Sequence, residues 1–115
     1  MTERKQAIDA CLTFPNVYED YPFDDFNWTV MRHKGNKKAF AFIYRHNGQM
    51  KINVKAQPFL VEVWQRQYSA VTSGYHMNKR HWVTIVLDDT LPDDVILQLL
   101  TDSFELTKPT IRLPR

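Results

Sequence analysis

One stretch decides the fold of this chain: AFAFIYRHNGQMKINVK, residues 39–55. Near its centre lies Asn47-Gly48, a pair that favours a type I′ turn because both central positions of that turn need a positive φ. In residues 50–55 apolar and polar side chains alternate, which is the pattern of a strand buried on one face. The stretch therefore predicts an antiparallel hairpin with strands over residues 39–45 and 50–55.

Outside this hairpin, the spacing of apolar residues predicts three helices and three more strands. Pro58 suits the first turn of a helix, and Asp93 and Asp94 favour the start of another because their charges complement the helix dipole. The segment 14–25 is rich in proline, aromatic and acidic residues and is expected to be irregular. We expect helices over residues 3–13, 58–68 and from 93 onward, and strands over residues 28–33, 39–45, 50–55, 70–73 and 81–87.

The expected element order is α-β(3)-α-β(2)-α. Links of hairpin length require antiparallel pairing, so the predicted fold class is α+β, a two-layer sandwich of an antiparallel sheet with helices on one face. By length, we expect one domain over residues 1–115, with an ordered core of about 3–107 and a loosely ordered tail after Pro109. No apolar run is long enough to span a membrane. A single cysteine, Cys11, excludes an internal disulfide and favours a cytoplasmic location.

Charge is unevenly distributed, although the formal net charge is only +2. Residues 28–82 hold ten lysines and arginines and a single acid, Glu62, whereas the segments before and after are acidic. Such a field favours polyanions or acidic protein surfaces as partners. Lysines that only solvate hairpin tips and edge strands would give the same distribution, and this alternative stays open.

The most specialised segment is GYHMNKRHW, residues 74–82, which combines a glycine, two histidines, two cations and two large aromatic residues. We expect Gly74 to form the turn that presents Lys79 and Arg80. Phosphate contacts need several cations, and base stacking needs exposed rings. Trp82 at a strand start is equally consistent with a core residue. The candidate nucleic-acid-binding residues are Lys37, Lys38, Lys51, Lys55, Tyr75, His76, Lys79, Arg80 and Trp82.

Catalytic and metal sites have little support in the sequence. His76 and His81 lack the further ligands that zinc needs. Cys11 shares a helix face with apolar residues, which predicts a buried and inert thiol. Ser73 has no nucleophile elbow around it. We therefore expect no enzymatic activity, no metal and no cofactor.

Several strings, spread over nearly the whole chain, carry a resemblance. They are Tyr21-Pro22-Phe23, Trp28 with Met31-Arg32, Asn36-Lys37-Lys38 with Phe40-Ala41, Lys55, Gly74 through Trp82, and Ser103-Phe104. Together with the element order, they resemble the MmcQ/YjbR family of small bacterial proteins. The resemblance implies a CyaY-like fold and DNA binding in a double-wing arrangement. The chain departs from the family pattern at Asp24, where glycine is frequent, and at Val83, where asparagine is frequent.

We therefore predict a non-enzymatic protein that binds nucleic acid, DNA or RNA, through a basic sheet face and its loops. Two alternatives stay open. A protein-interaction or chaperone-like module would hold a peptide on the open sheet, with Met31, Met50 and Met77 as an adaptable apolar surface. A binder of a small anionic ligand would form its pocket from Tyr21, Pro22, Phe23, His76, Lys79, Arg80 and Trp82.

Overall fold

The structure, a computed structural model, describes residues 1–110. The tail predicted after Pro109 falls mainly on residues 111–115, which lie outside the described residues. Between residues 1 and 110 there are three helices and six strands, and every predicted helix and strand is found within two residues of its expected limits. The elements are α1 Arg4–Leu12, β1 Val17–Asp20, β2 Thr29–His33, β3 Ala39–His46, β4 Gln49–Lys55, α2 Pro58–Gln67, β5 Val71–Ser73, β6 Trp82–Val86 and α3 Asp93–Thr107.

The strands form one antiparallel sheet in the order β1-β2-β3-β4-β6-β5. At its centre lies the hairpin of β3 and β4, in which His46 pairs with Gln49. The two residues between them, Asn47 and Gly48, have φ values of 52° and 73°, so both positions are in the left-handed region as the type I′ turn requires. The outer strands of the sheet, β1 and β5, have only four and three residues.

All three helices pack on one face of the sheet, α1 against β1 and β3, α3 against β3 and β4, and α2 against β5. This arrangement confirms the two-layer α+β sandwich. The covered face is apolar because every second residue of the central strands points into it. The side chains buried there include Met31, Ala41, Ile43, Ile52, Val54, Val71, Val83 and Ile85.

The sheet has one strand more than expected, because β1 lies in the segment that was predicted to be irregular. β1 pairs with β2 along its whole length, from Val17 opposite His33 to Asp20 opposite Val30. An ion pair supports the edge, since Arg32 Nε lies 2.8 Å from Asp20 Oδ2. The order is therefore α-β(4)-α-β(2)-α within the same fold class.

A β-bulge at Phe40 separates the aromatic residues of β3 between the two faces. The register shifts between Met31, which pairs with Ala41, and Arg32, which pairs with Ala39. Phe40 is left without a partner in β2 and packs edge-on against Phe104 of α3, with ring centroids 5.6 Å apart. The bulge thus sends Phe40 into the core, while the aromatic residues that follow it in β3 point to the other face.

Helix α2 is only partly covered. Val61 is its buried residue, whereas Phe59 and Val63 are 71% and 50% exposed. Within residues 1–110, no helix has the length and apolar character needed to cross a membrane.

Candidate binding site on the open face of the sheet

The sheet face that the helices leave uncovered is mainly aromatic, where a basic face was expected. Phe42 and Tyr44 of β3 lie on it, and the loops 21–28 and 74–81 fold over them. Lys51, a predicted phosphate contact, is half-buried on this face, and its Nζ lies 3.0 Å from Nδ1 of His46.

A buried polar network ties the loop 74–81 to this face. The amide oxygen of Asn53 accepts hydrogen bonds from the hydroxyls of Tyr44 and Thr84, each at 2.7 Å. The amide nitrogen of Asn53 donates to the carbonyl of Tyr75 at 2.7 Å, and the N–H of Tyr75 donates to Thr84 Oγ1 at 2.9 Å. The side chains of Tyr44, Asn53 and Thr84 and the backbone of Tyr75 all have hydrogen-bond partners in this network. The network therefore fixes the start of the loop without leaving one of these polar groups unpaired.

The first aromatic residue of this loop, Tyr75, folds onto the sheet and is not splayed into solvent. The ring of Tyr75 stacks on His46 at 4.2 Å and on Tyr44 at 5.6 Å between centroids. His76 follows with a φ of 58°, a conformation that a non-glycine residue adopts at an energetic cost. This left-handed residue turns the chain so that the imidazole and the next side chain, Met77, reach the open face.

Gly74 acts differently from the prediction that it forms the turn. Its φ is not in the left-handed region, which is occupied by His76. A Cβ at position 74 would lie 2.7 Å from the carbonyl oxygen of Trp82 and 2.9 Å from its Cβ. Glycine is therefore needed for the close approach of the loop to β6. Trp82 itself is half-buried and packs edge-on against Phe42, with centroids 5.7 Å apart.

Trp28 and the residue before it are held on the other side of the face by contacts from two elements, β3 and α1. Its ring stacks on Tyr44, with centroids 4.1 Å apart and planes 17° apart. The preceding residue, Asn27, exchanges hydrogen bonds with the backbone of Arg45 at 2.9 Å. Arg4 of α1 donates to the carbonyl of Asn27 at 2.7 Å. These contacts place the indole at a fixed position beside Phe42.

Between the two loops lies a cleft of about 310 Å³, which we call the aromatic cleft. The ring of Phe23 stands at 80° to that of Trp28, with centroids 6.4 Å apart. The Asp25 carboxylate accepts a hydrogen bond from the N–H of Asn27 at 2.8 Å. The aromatic cleft is lined by Phe23, Asp25, Trp28, Phe42, His76 and Met77.

Part of this cleft was predicted from the sequence. The pocket proposed for an anionic ligand included Phe23 and His76, which do line the cleft, whereas Lys79 and Arg80 do not. The acidic residue Asp25 was missed. Strand alternation could have found both rings: Phe42 occupies a position in β3 that points away from the core, and Trp28 immediately precedes β2 at a position that points to the same side.

The predicted cations that reach solvent lie at one end of the sheet. The loop 34–38 joins the end of β2 to the start of β3, Lys55 ends β4, and residues 79–80 precede β6, so these points share one end of the antiparallel sheet. None of these cations takes part in an ion pair with another of the residues 1–110. Lys79 Nζ donates to the carbonyl of Gly74 at 3.1 Å. We call this group the basic end; it consists of Lys34, Lys37, Lys38, Lys55, Lys79 and Arg80.

The reactive side chains outside the cleft are buried or dispersed. Cys11 is fully buried, and desolvation raises the pKa of its thiol to about 12, as expected for an inert thiol. Among residues 1–110, no three His, Cys, Asp or Glu side chains converge to hold a metal ion. The apolar surface predicted from methionines is not formed, because Met31 and Met50 are core residues.

This fold places the protein in the class of α+β sandwiches with an open, aromatic sheet face. The YjbR family model matches residues 12–106, and the chain belongs to the YjbR family, which confirms the resemblance. The chain is 35% identical over 100 residues to the uncharacterized protein YyaQ of Bacillus subtilis, covering 77% of this chain and 84% of YyaQ. It is 28% identical over 100 residues to the uncharacterized protein YjbR of Escherichia coli K12, covering 87% and 82%.

Solved structures show the same fold. A crystal structure of a Pseudomonas syringae protein matches with a TM-score of 0.81 and 33% identity, covering 92% of this chain and 99% of that one. The Deinococcus radiodurans protein DR2400 matches with a TM-score of 0.82 and 28% identity, covering 92% and 78%. These similarities establish family and fold, and the function has to be argued from the site.

Proposed function

We propose that this YjbR-family protein binds nucleic acid through phosphate contacts at the basic end of the sheet. The observation that carries the proposal is the gathering of six cations at one end, five of them exposed and none in an ion pair with another of the residues 1–110. Cations without a carboxylate partner are available to replace the counterions of a polyanion, which is the main source of sequence-independent affinity.

Acidic side chains lie at the opposite end of the sheet and make the electrostatic potential of the molecule uneven. Asp20 ends β1 at the end of the sheet opposite the basic end and is followed there by the acidic segment 21–25, and Asp88 and Asp89 follow β6 at that same opposite end. Asp20 and Asp89 are paired with Arg32 and the N-terminal ammonium, and Arg45 also lies at this end, so its net negative charge is small. A polyanion is therefore attracted more strongly to the basic end than to the opposite end, which orients it during encounter.

The contacts favour weak sequence preference. The cations lie on loops and strand ends, and no helix within residues 1–110 presents a row of basic side chains for the major groove, since α2 carries Arg66 in an ion pair with Glu62. Phosphate contacts position a protein on nucleic acid without reading its sequence.

The experiment is a titration of short fluorescently labelled single-stranded DNA, single-stranded RNA and duplex DNA with the purified protein at low salt, followed by anisotropy. The variant Lys79→Ala/Arg80→Ala should weaken binding roughly tenfold or more, and by a similar factor for all sequences. The matched control is Lys5→Ala/Arg66→Ala, which changes the net charge equally but alters two exposed ion pairs on α1 and α2.

If wild-type protein shows no binding at low salt, or if the two double variants weaken it equally, the basic end is not a nucleic-acid site.

The two alternative functions have less support from the geometry. Burial of Met31 and Met50 removes much of the surface proposed for a peptide. The Asp25 carboxylate beside the cleft disfavours an anionic ligand there.

A further inference from the structure

We propose that the aromatic cleft is a second site, separate from the basic end, which binds a small organic cation with a quaternary ammonium group. Three properties of the cleft lead to this ligand class: rings that meet at a large angle, a carboxylate that forms no ion pair with another of the residues 1–110, and a shortage of hydrogen-bond acceptors.

The rings form walls of the kind that surround alkylated ammonium groups. Phe23 and Trp28 stand at 80° to each other, and Phe42 and Met77 complete the lining. A cation between such walls is attracted by the negative faces of the rings, while its methyl groups make apolar contacts. Trp28 is held rigidly from behind by Tyr44, at 4.1 Å between ring centroids, so the indole is already in place before a ligand binds.

The local charge favours a cation and disfavours an anion. Asp25 lines the cleft and Asp24 precedes it, and both are exposed and in no ion pair with another of the residues 1–110. The cations of the basic end do not line the cleft. Arg4 lies within Coulombic range of Asp25, but its guanidinium donates to Asn27, Thr29 and Ile43 and does not line the cleft. A positively charged ligand therefore gains Coulomb energy from the Asp25 carboxylate without displacing a protein cation from it.

The polar groups are too few for a primary ammonium. An –NH₃⁺ group has three N–H donors that need acceptors. Of the six side chains that line the cleft, only those of Asp25 and His76 offer hydrogen-bond acceptors, because the indole N–H of Trp28 can only donate, and one oxygen of the Asp25 carboxylate already accepts from the N–H of Asn27 at 2.8 Å. A quaternary ammonium carries no N–H, so it can enter this apolar volume without leaving donors unpaired.

The experiment uses choline as the probe and its neutral isostere 3,3-dimethylbutanol as the reference, in NMR titrations of the isotope-labelled protein at millimolar ligand. We expect choline to bind about tenfold more tightly than the isostere, because the two differ in charge and hardly in shape. The N-methyl signal should shift upfield through the ring currents, and the backbone amides of residues 76–77 should shift with it. Equal affinity for both compounds, or no choline binding by the folded protein, would overturn the proposal.

Two variants test the site on protein whose spectrum shows an intact fold. Phe23→Leu should weaken choline binding several-fold, because Phe23 is 50% exposed and contributes a wall of the cleft. Asp25→Asn should also weaken it, while the amide oxygen can still accept from Asn27. The control is Phe26→Leu on the same loop, which is 78% exposed and does not line the cleft. If Phe26→Leu weakens choline binding as much as Phe23→Leu does, the cleft is not the site.

A nucleic-acid titration distinguishes the two proposals. Lys34→Ala/Lys38→Ala, a basic-end variant outside the loop 74–81, should leave choline binding unchanged, and Phe23→Leu should leave phosphate-driven nucleic-acid binding largely unchanged. Loss of choline binding in the basic-end variant would contradict the separation of the two sites.

Discussion

Gly74 and His76 set the path of the loop that closes the aromatic cleft, each for its own physical reason. Gly74 allows the loop to approach β6 because a side chain there would overlap the backbone of Trp82. His76 takes a left-handed conformation, with a φ of 58°, that turns its imidazole towards the open face. Strained or crowded backbone of this kind is retained where the surrounding contacts demand it, which fits a loop that shapes a binding site.

The first prediction concerns the close approach at Gly74. Gly74→Ala should lower the free energy of unfolding by about 1–3 kcal/mol, because the added Cβ would lie 2.7 Å from a backbone oxygen that cannot move freely. Denaturant unfolding measures this loss. Gly48→Asn is the control: position 48 has a φ of 73° and open space around it, and asparagine tolerates that conformation. Equal stability of Gly74→Ala and wild type would show that the loop is free to shift.

The second prediction concerns His33, which is 2% exposed. Its Nε2 lies 2.8 Å from the hydroxyl oxygen of Thr107. Desolvation lowers the pKa of His33, although a backbone hydrogen bond at Phe104 and the charge of Glu105 act in the opposite direction. In the unfolded chain, with a pKa near 6.5, the imidazole binds protons more readily than in the folded protein.

The sign of the pH effect follows from this difference. The folded protein should keep its full stability above about pH 6.5 and lose it as the pH falls from there towards the lower folded pKa, with a slope of at most about 1.4 kcal/mol per pH unit. Unfolding curves between neutral and mildly acidic pH measure this slope. His33→Gln should reduce it, although the variant is less stable throughout. An unchanged slope in the variant would assign the effect to other groups.

Among the elements, β4 and β6 carry the polar network that holds the loop 74–81 on the sheet. Asn53 and Thr84 lie opposite each other in the register, so their side chains meet on the open face. Each is fully buried, and together they satisfy both backbone groups of Tyr75. The rigid strands therefore determine where the loop begins, and the loop in turn determines where His76 lies.

The third prediction tests this anchor. Thr84→Val keeps the shape of the side chain but leaves the N–H of Tyr75 without its acceptor, so it should cost about 1–3 kcal/mol. Hydrogen exchange at the Tyr75 amide should become faster. Thr72→Val on the neighbouring strand is the matched control, because Thr72 is exposed and its hydroxyl makes only a long contact of 3.4 Å. Similar losses in both variants would mean that the network does not hold the loop.

The helices and strands are predicted well from the sequence, because hairpin signals and apolar periodicity depend on residues that are close together in the chain. β1 was missed since Val17–Asp20 has only one buried residue and lies between prolines; it is a strand because β2 offers its free edge. The bulge at Phe40 was hidden for a similar reason, since it depends on the register between two strands.

The site was less predictable than the fold. The segment 74–82 stands out in the sequence, but the structure places its unusual residues at different sites. Lys79 and Arg80 lie at the basic end, whereas Tyr75 packs on the sheet and His76 lines the cleft. The partners that complete the cleft, Trp28 among them, come from loops and strands far away along the chain, and only tertiary structure brings them together.

For the molecule as a whole, the important property is the separation of charge along the sheet. The cations of the basic end, unpaired within residues 1–110, and the carboxylates at the opposite end, several of which form ion pairs, give the protein an uneven charge distribution that its net charge of +2 conceals. The aromatic cleft lies between them on the open face, beside acidic residues. Two ligands of opposite charge can therefore be attracted by one small protein at different places.

The fourth prediction follows from the six cations of the basic end. If each contacts one phosphate, the logarithm of the affinity should fall with the logarithm of salt concentration with a slope of about −4 for single strands and about −5 for duplex DNA. Anisotropy titrations at several salt concentrations give the slope. The variant Lys79→Ala/Arg80→Ala should make it shallower by roughly 1 to 2. A slope near zero would mean that phosphate contacts do not drive binding.

The shortness of the outer strands has a consequence for the behaviour of many copies in solution. With only four residues in β1 and three in β5, each outer edge of the sheet offers another molecule very few unpaired backbone groups, and Glu19 adds negative charge along β1, where Asp20 is paired with Arg32. Edge-to-edge growth into fibrils is thereby discouraged. The protein can be expected to stay dispersed when it is crowded, even though most of its sheet is built from aromatic and branched residues that readily aggregate elsewhere.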